Sequence, residues 1–198
     1  AVVLPAFEEG EVEGAVFGAD AGEVRAVAAV AAEEKSAFRR FEDEAAPEGL
    51  VCGETAPGVV SGFGEPYGEL PATLPRIGVV LEASAEYSRC AWLGRGPNES
   101  YPDSVANAPV GRYERPVDEM NFDYDYPQET GNHEGTYALT LRTAAGEDGL
   151  SVIGSDTFAF SYHDFTLDNL TDARHKNEVV KSDRNYLYID YRMRGLGS

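Results

Sequence analysis

Tyr186-Leu187-Tyr188-Ile189-Asp190-Tyr191-Arg192-Met193 is the stretch that decides the fold. Successive side chains of an extended chain point to opposite sides, so Leu187, Ile189, Tyr191 and Met193 share one face, and Tyr186, Tyr188, Asp190 and Arg192 the other. An apolar face set against a more polar one predicts a half-buried antiparallel strand. Similar signals recur upstream: Arg76–Glu82 is apolar and β-branched, Glu86–Leu93 alternates loosely, and Thr136–Arg142, Leu150–Gly154 and Thr157–His163 follow at short spacing. Turns are expected at Ala145-Gly146-Glu147-Asp148-Gly149 and at Gly154-Ser155-Asp156. A short helix is expected over Leu167–Ala173, with Thr166 as its N-cap. The sum predicts an all-β fold, an antiparallel β-sandwich with at most one or two short helices.

The chain changes texture near Pro71. Residues 1–75 are rich in Ala, Gly, Val and Glu, whereas Trp92 and most of the tyrosines lie beyond. Pro66, Pro71 and Pro75, mixed with Gly62, Gly64 and Gly68, mark an irregular connection. Residues 1–73 are read as the first part of the sandwich and residues 74–198 as its main body. Within residues 22–46, Val24, Val27, Ala31, Phe38 and Phe41 partly fit helical spacing, and the Ala and Glu content favours a helix locally. Two modest strands around Val24–Val30 and Phe38–Phe41 are the alternative if the neighbours are sheets.

The 198 residues carry 16 Lys and Arg against 35 Asp and Glu, a formal net charge of −19. A phosphate backbone or an anionic membrane surface is repelled by such a balance, so neither nucleic acid nor membrane is an expected partner. No apolar run approaches the roughly 18 to 20 residues of a membrane span, and the opening Ala-Val-Val-Leu-Pro lacks the basic region of an export signal. Cys52 and Cys90 have no metal-type spacing and are read as reduced thiols. The glycosylation patterns at Asn98-Glu99-Ser100 and Asn169-Leu170-Thr171 need a secretory route and are set aside.

Carboxylates are so numerous that their proximity in sequence identifies no catalytic pair. His133, His163 and His175 lack the spacing of a zinc site, and no metal is expected. Gly94-Arg95-Gly96-Pro97 lacks the Lys-Ser/Thr of a phosphate loop and is read as a tight turn leaving a strand. Arg95 in this turn and Asn98, Glu99, Tyr101 and Asp103 beyond it form a polar loop suited to docking on another surface or to direct ligand contact. Trp92 sits in an alternating strand, which suits core packing, although an aromatic face could also stack on a ligand. Glu129, Asn132 and His133 fall where a strand pattern breaks, and could hydrogen-bond a ligand or satisfy one another in a turn.

Three segments taken together are more specific. These are Leu74-Pro75-Arg76-Ile77-Gly78, the run from Trp92-Leu93-Gly94-Arg95-Gly96-Pro97 through Asn98-Glu99-Ser100-Tyr101-Pro102-Asp103, and Tyr126-Pro127-Gln128-Glu129-Thr130-Gly131-Asn132. In this order they resemble the carboxy-terminal β-sandwich, or small chain, of the large β-galactosidases of glycoside hydrolase family two. The likeness continues through Phe158-Ala159-Phe160-Ser161 and Leu187-Tyr188-Ile189-Asp190 to Gly195-Leu196-Gly197. It implies a supersandwich of the galactose-mutarotase type within a large, cytoplasmic, oligomeric hydrolase of terminal β-galactosides such as lactose. Such an enzyme retains configuration with two carboxylates about 5 Å apart. The resemblance places both on a barrel of about 250 residues, which this chain cannot hold, so no catalytic residue or cofactor is expected here. A divalent or monovalent cation is implied for the whole enzyme. Trp92, Glu129, Asn132 and His133 become the carbohydrate-binding candidates, and Arg95, Asn98, Glu99, Tyr101 and Asp103 the domain-interface loop. Gly195 and Gly197 would turn the chain toward the active site, with the sequence stopping short of the domain's natural end. The implied partners are the remaining domains, a shared galactoside and further copies of the enzyme. A free-standing sugar-binding protein or aldose epimerase using His163 and Glu129 is the alternative.

Overall fold

The computed structural model describes residues 76–193 together with four short strands earlier in the chain, β1 (Val2–Leu4), β2 (Ala15–Phe17), β3 (Arg25–Val27) and β4 (Gly58–Val60). The main body contributes β5 (Arg76–Ser84), β6 (Arg89–Arg95), β7 (Val110–Pro116), β8 (His133–Arg142), β9 (Asp148–His163) and β10 (Arg184–Met193), with one helix, α1 (Leu167–Asp172). Strand order runs β3-β5-β10-β9-β1-β2-β4, and β8, β6 and β7 continue from β9 in that sequence. All pairs are antiparallel except β1 with β9. The fold is therefore all-β and sandwich-like.

The long strand β9 serves two sets of neighbours. Pairing with β8 runs from Asp148 to Phe160, while β1 pairs with Val152–Gly154 and β10 with Ala159–His163. Side chains from β5, β6, β8, β9 and β10 meet in one core that contains Leu81, Trp92, Leu141, Phe160, Tyr162 and Leu187. Burying each such side chain contributes about 1.5–3 kcal/mol against the chain entropy of ordering the strands. Tyr162 Oη donates to the carbonyl of Tyr87 at 2.6 Å and Asn185 Nδ2 to the same oxygen at 3.2 Å, which ties the turn after β5 to β9 and β10.

Several expectations need correction. The strand at residues 186–193 forms, but it is covered on both faces: Leu187 and Ile189 point into the core, while Tyr188 and Asp190 are also buried. The connection carrying α1 folds back over the second face, where Leu167 N–H donates to Tyr188 Oη at 3.0 Å. A slip in the β5–β10 ladder between Asp190 and Arg192 then breaks the simple alternation. The turn expected at Gly154-Ser155-Asp156 does not reverse the chain. It lies inside β9 as an irregularity, the ladder passing from Ala138↔Ile153 to Thr136↔Phe158. Gly154 is required there, because a Cβ would lie 2.1 Å from the Asp156 carbonyl oxygen. β6 starts at Arg89 rather than Glu86, because a turn closed by Tyr87 N–H to Ser84 O intervenes. Within residues 22–46, Arg25–Val27 is a strand on β5, against the local helix signal and in line with the alternative. The second strand of that alternative, Phe38–Phe41, lies outside the described residues, as do Cys52, Gly195 and Gly197.

The helix begins where the cap places it. Thr166 Oγ1 accepts from Asn169 N–H at 3.2 Å, supplying a partner that the first turn lacks. Thr166→Ala is expected to cost about 1 kcal/mol, measured as a shift in the urea midpoint. No helix among the described residues is long and apolar enough to cross a membrane.

Candidate functional site

The loop after β6 is locked in place from beneath. A Cβ on Gly96 would lie 2.7 Å from the Tyr113 ring and 2.9 Å from Trp92, so the chain leaves the strand over these two aromatics with no room to spare. Further on, Ser100 N–H donates to the Asn132 carbonyl at 2.7 Å, Asn132 Nδ2 donates to the Ser100 carbonyl at 2.7 Å, and Glu134 N–H donates to Ser100 Oγ at 2.9 Å. The Asn132 carbonyl and amide nitrogen thereby join the loop to the start of β8.

Glu99 turns inward rather than toward solvent. Its carboxylate accepts from Tyr124 Oη, from Thr130 Oγ1 at 3.1 Å and from Gly131 N–H at 2.8 Å. The bond to Glu99 pushes the Tyr124 phenol up to about 12. Gly131 holds a φ of 75°, and a Cβ there would meet Asn121 Oδ1 at 2.8 Å, so this position needs glycine on both counts. Arg95 Nη1 donates to the Ala108 carbonyl at 3.2 Å, Tyr101 is buried, and Asn98 and Asp103 are exposed. Asn98, Glu99, Tyr101 and Asp103 come together on the wall of an open cleft of about 630 Å³, with Asn121, Phe122 and Tyr124 on the facing segment.

The carbohydrate candidates are placed differently. Trp92 is 3% exposed, its indole N–H donates to the Arg95 carbonyl at 2.9 Å, and its ring meets Tyr113, His133 and Phe160. His133 is buried between Trp92 and Phe160, and burial followed by the charge of Arg115 pushes it down to about 3. Both rings belong to the core. Glu129 instead joins a buried charge cluster: Arg76 Nη2 lies 3.3 Å from Glu129 Oε1, and Arg76 Nε lies 2.9 Å from Asp190 Oδ2. The guanidinium also sits 5.5 Å from the centre of the Tyr188 ring. Burial raises Asp190 to about 7 against the pull of Arg76. Burial likewise raises Glu129 above the usual carboxylate range, again opposed by Arg76.

His163 lies on the same sheet face, fully buried, with Nδ1 2.5 Å from Asn121 Oδ1. Burial, reinforced by Arg76, pushes it down to about 3 and keeps it neutral. Cys90 is a free, buried thiol, raised by burial. Among the described residues, no group of three or more His, Cys, Asp or Glu could hold a metal ion. Sequence reasoning did not find Phe122, Tyr124 or the Arg76–Asp190 pair. The available signal was a single carboxylate in the run Tyr188-Ile189-Asp190-Tyr191, with a basic residue, Arg76, at the start of another strand.

Fold and site together define an all-β module with a polar, partly aromatic cleft and a separate buried ionic cluster. The sequence matches the β-galactosidase small chain family over residues 53–198, and the chain belongs to that family. It is 38% identical over 132 residues to the β-galactosidase of Arthrobacter sp. (strain B7), covering 63% of this chain and 13% of that protein. Against the β-galactosidase of Vibrio cholerae serotype O1 it is 37% identical over 124 residues, covering 63% and 11%. Against that of Kluyveromyces lactis it is 37% identical over 130 residues, covering 65% and 12%. These matches span only 11–13% of the relatives' length.

Proposed function

We propose that the chain is a non-catalytic domain of a β-galactosidase that hydrolyses terminal β-galactosides such as lactose, where it helps to shape the active-site entrance and to bind carbohydrate. The observation that carries this reading is the family match over residues 53–198, set against relatives named as β-galactosidases that are many times longer. Retaining hydrolysis needs one carboxylate free to attack and another free to exchange a proton. The two carboxylates gathered at Arg76 are committed to that guanidinium, which supports a structural role for Glu129 and Asp190. In this reading the acid chemistry belongs to a barrel domain of the same cytoplasmic enzyme, which assembles as a homo-oligomer and holds any required cation elsewhere. The segment leading to Gly195 and Gly197 meets the neighbouring domains, while the loop at Asn98, Glu99 and Asp103 borders the entrance.

The chain by itself is expected to give no turnover of a chromogenic β-galactoside. Inserted in place of the matching segment of the Arthrobacter enzyme, it is expected to support turnover where deletion of that segment abolishes it. Hydrolysis by the chain alone, lost on Glu129→Gln, would overturn the proposal.

A further inference from the structure

We propose that the cleft between residues 97–107 and residues 119–124 is itself a binding site for a neutral sugar, with the Phe122 and Tyr124 rings as its apolar wall and the side-chain amides of Asn98, Asn107 and Asn121 as its hydrogen-bonding groups. This rests on the β-galactosidase-domain reading only for its biological setting; the chemistry comes from the cleft.

The volume of about 630 Å³ falls within the range of small-molecule sites. Its aromatic wall is presented rather than buried: Phe122 is 60% exposed, and its ring lies 4.5 Å from that of Tyr124. Tyr124 cannot swing away, because its hydroxyl is tied to Glu99. Apolar ring faces held at the side of a polar cleft match the alternation of C–H faces and hydroxyl edges on a sugar.

The charge arrangement selects against anions. Glu99, with three donors already on its carboxylate, is spent as a structural group. Arg115, the one cation lining the cleft among the described residues, directs Nη1 to the Glu119 carbonyl at 3.3 Å, while Asp103 and Glu119 add negative charge. An anionic ligand is therefore repelled. What remains for a ligand is mainly amide. Asn98 and Asn107 are exposed on one wall, and an amide both donates and accepts, as a hydroxyl does.

Asn121 is oriented from behind. With Oδ1 engaged by buried His163 at 2.5 Å, its NH2 is the end left to donate into the cleft. The His163 ring is itself fixed, stacked on Phe165 at 4.8 Å and close to Tyr188 at 5.6 Å. A donor oriented in this way loses little freedom on binding. His163 thus acts as a positioning residue without touching the ligand.

The test is a two-dimensional NMR titration of the chain with lactose, with a penta-lysine peptide as a separate arm. Lactose is expected to bind in the millimolar range and to move resonances of residues 97–107 and 119–124. Phe122→Ala should weaken binding about ten-fold. Asn121→Asp, which keeps the acceptor for His163 and loses the donor, should weaken it several-fold. Tyr137→Ala, an exposed change on β8 away from the cleft, should leave it unchanged. Absence of shifts at saturating lactose, shifts indifferent to both cleft variants, or response to the peptide and not to lactose would each overturn the proposal. None of these outcomes bears on whether the chain supports turnover in the Arthrobacter chimera, so the domain reading and the cleft proposal are tested by different measurements.

Discussion

Arg76→Met is expected to destabilise the chain by about 3–5 kcal/mol at neutral pH, the penalty for leaving buried carboxylates without their cation. Arg76 is 6% exposed and is shared by Asp190, which is 1% exposed, and by Glu129. One cation among two carboxylates leaves a surplus negative charge, and burial therefore lifts Asp190 to about 7. The sign of the pH dependence follows. A carboxyl whose folded pKa lies above its ordinary value of 3.8 binds its proton more tightly in the folded state. Its contribution to stability is complete below that ordinary value and is lost as pH rises through about 7. Removing Arg76 lifts both carboxyls further and extends that loss to higher pH, so the gap between variant and parent should be wide at pH 8 and narrow at pH 5.

His133 and His163 act in the opposite direction. Pushed down to about 3, they contribute stability above their ordinary 6.5 that is lost on acidification. The readout is therefore the difference between the two proteins at each pH, taken from urea midpoints at constant slope. A gap of the same size at both pH values, or one below about 1 kcal/mol at pH 8, would refute the ionic account.

The same cluster shows where sequence reading stops. The strand at residues 186–193 was legible because alternation is local, and α1 because Thr166 sits one residue before the helix it caps. What covers the second face of β10 was not legible. Asp190 looked like a solvent-facing residue, since nothing in its neighbourhood announces that α1 and Arg76 close over it. β7 was missed for a related reason. Val-Gly-Arg-Tyr-Glu-Arg-Pro has little apolar alternation of its own, and it is a strand because β6 pairs with it from Arg89↔Pro116 to Arg95↔Val110. In the cleft, the polar loop at Asn98, Glu99 and Asp103 was visible from its Gly-Pro punctuation. Its facing wall was not, because Tyr124 reaches Glu99 across 25 positions and His163 reaches Asn121 across 42.

Trp92→Ala is expected to be about as damaging, with a loss of about 3–5 kcal/mol from truncating a buried indole. The ring is in contact with Tyr113, His133 and Phe160, at centroid distances of 5.4, 4.6 and 5.8 Å, and no single neighbour can collapse into the space it would leave. Two further consequences separate Trp92 from an ordinary core position. Its N–H holds the Arg95 carbonyl at the point where β6 ends, and its ring supports Gly96 as the chain enters the cleft wall. Trp92→Phe keeps an aromatic ring but loses that hydrogen bond, whose net worth is about 1 kcal/mol, together with part of the ring volume. The phenylalanine variant should therefore stay folded while the loop loosens, seen as faster hydrogen exchange at Gly96 N–H, which donates to the Pro109 carbonyl at 3.2 Å. Urea unfolding of both variants and exchange at Gly96 would test this. A Trp92→Ala protein within 1 kcal/mol of the parent would contradict the packing argument, and unchanged exchange in Trp92→Phe would detach the loop from the indole. The expected ordering places the tryptophan at the joint between core and cleft, so that the contacts burying it also set the position of the loop that carries Asn98.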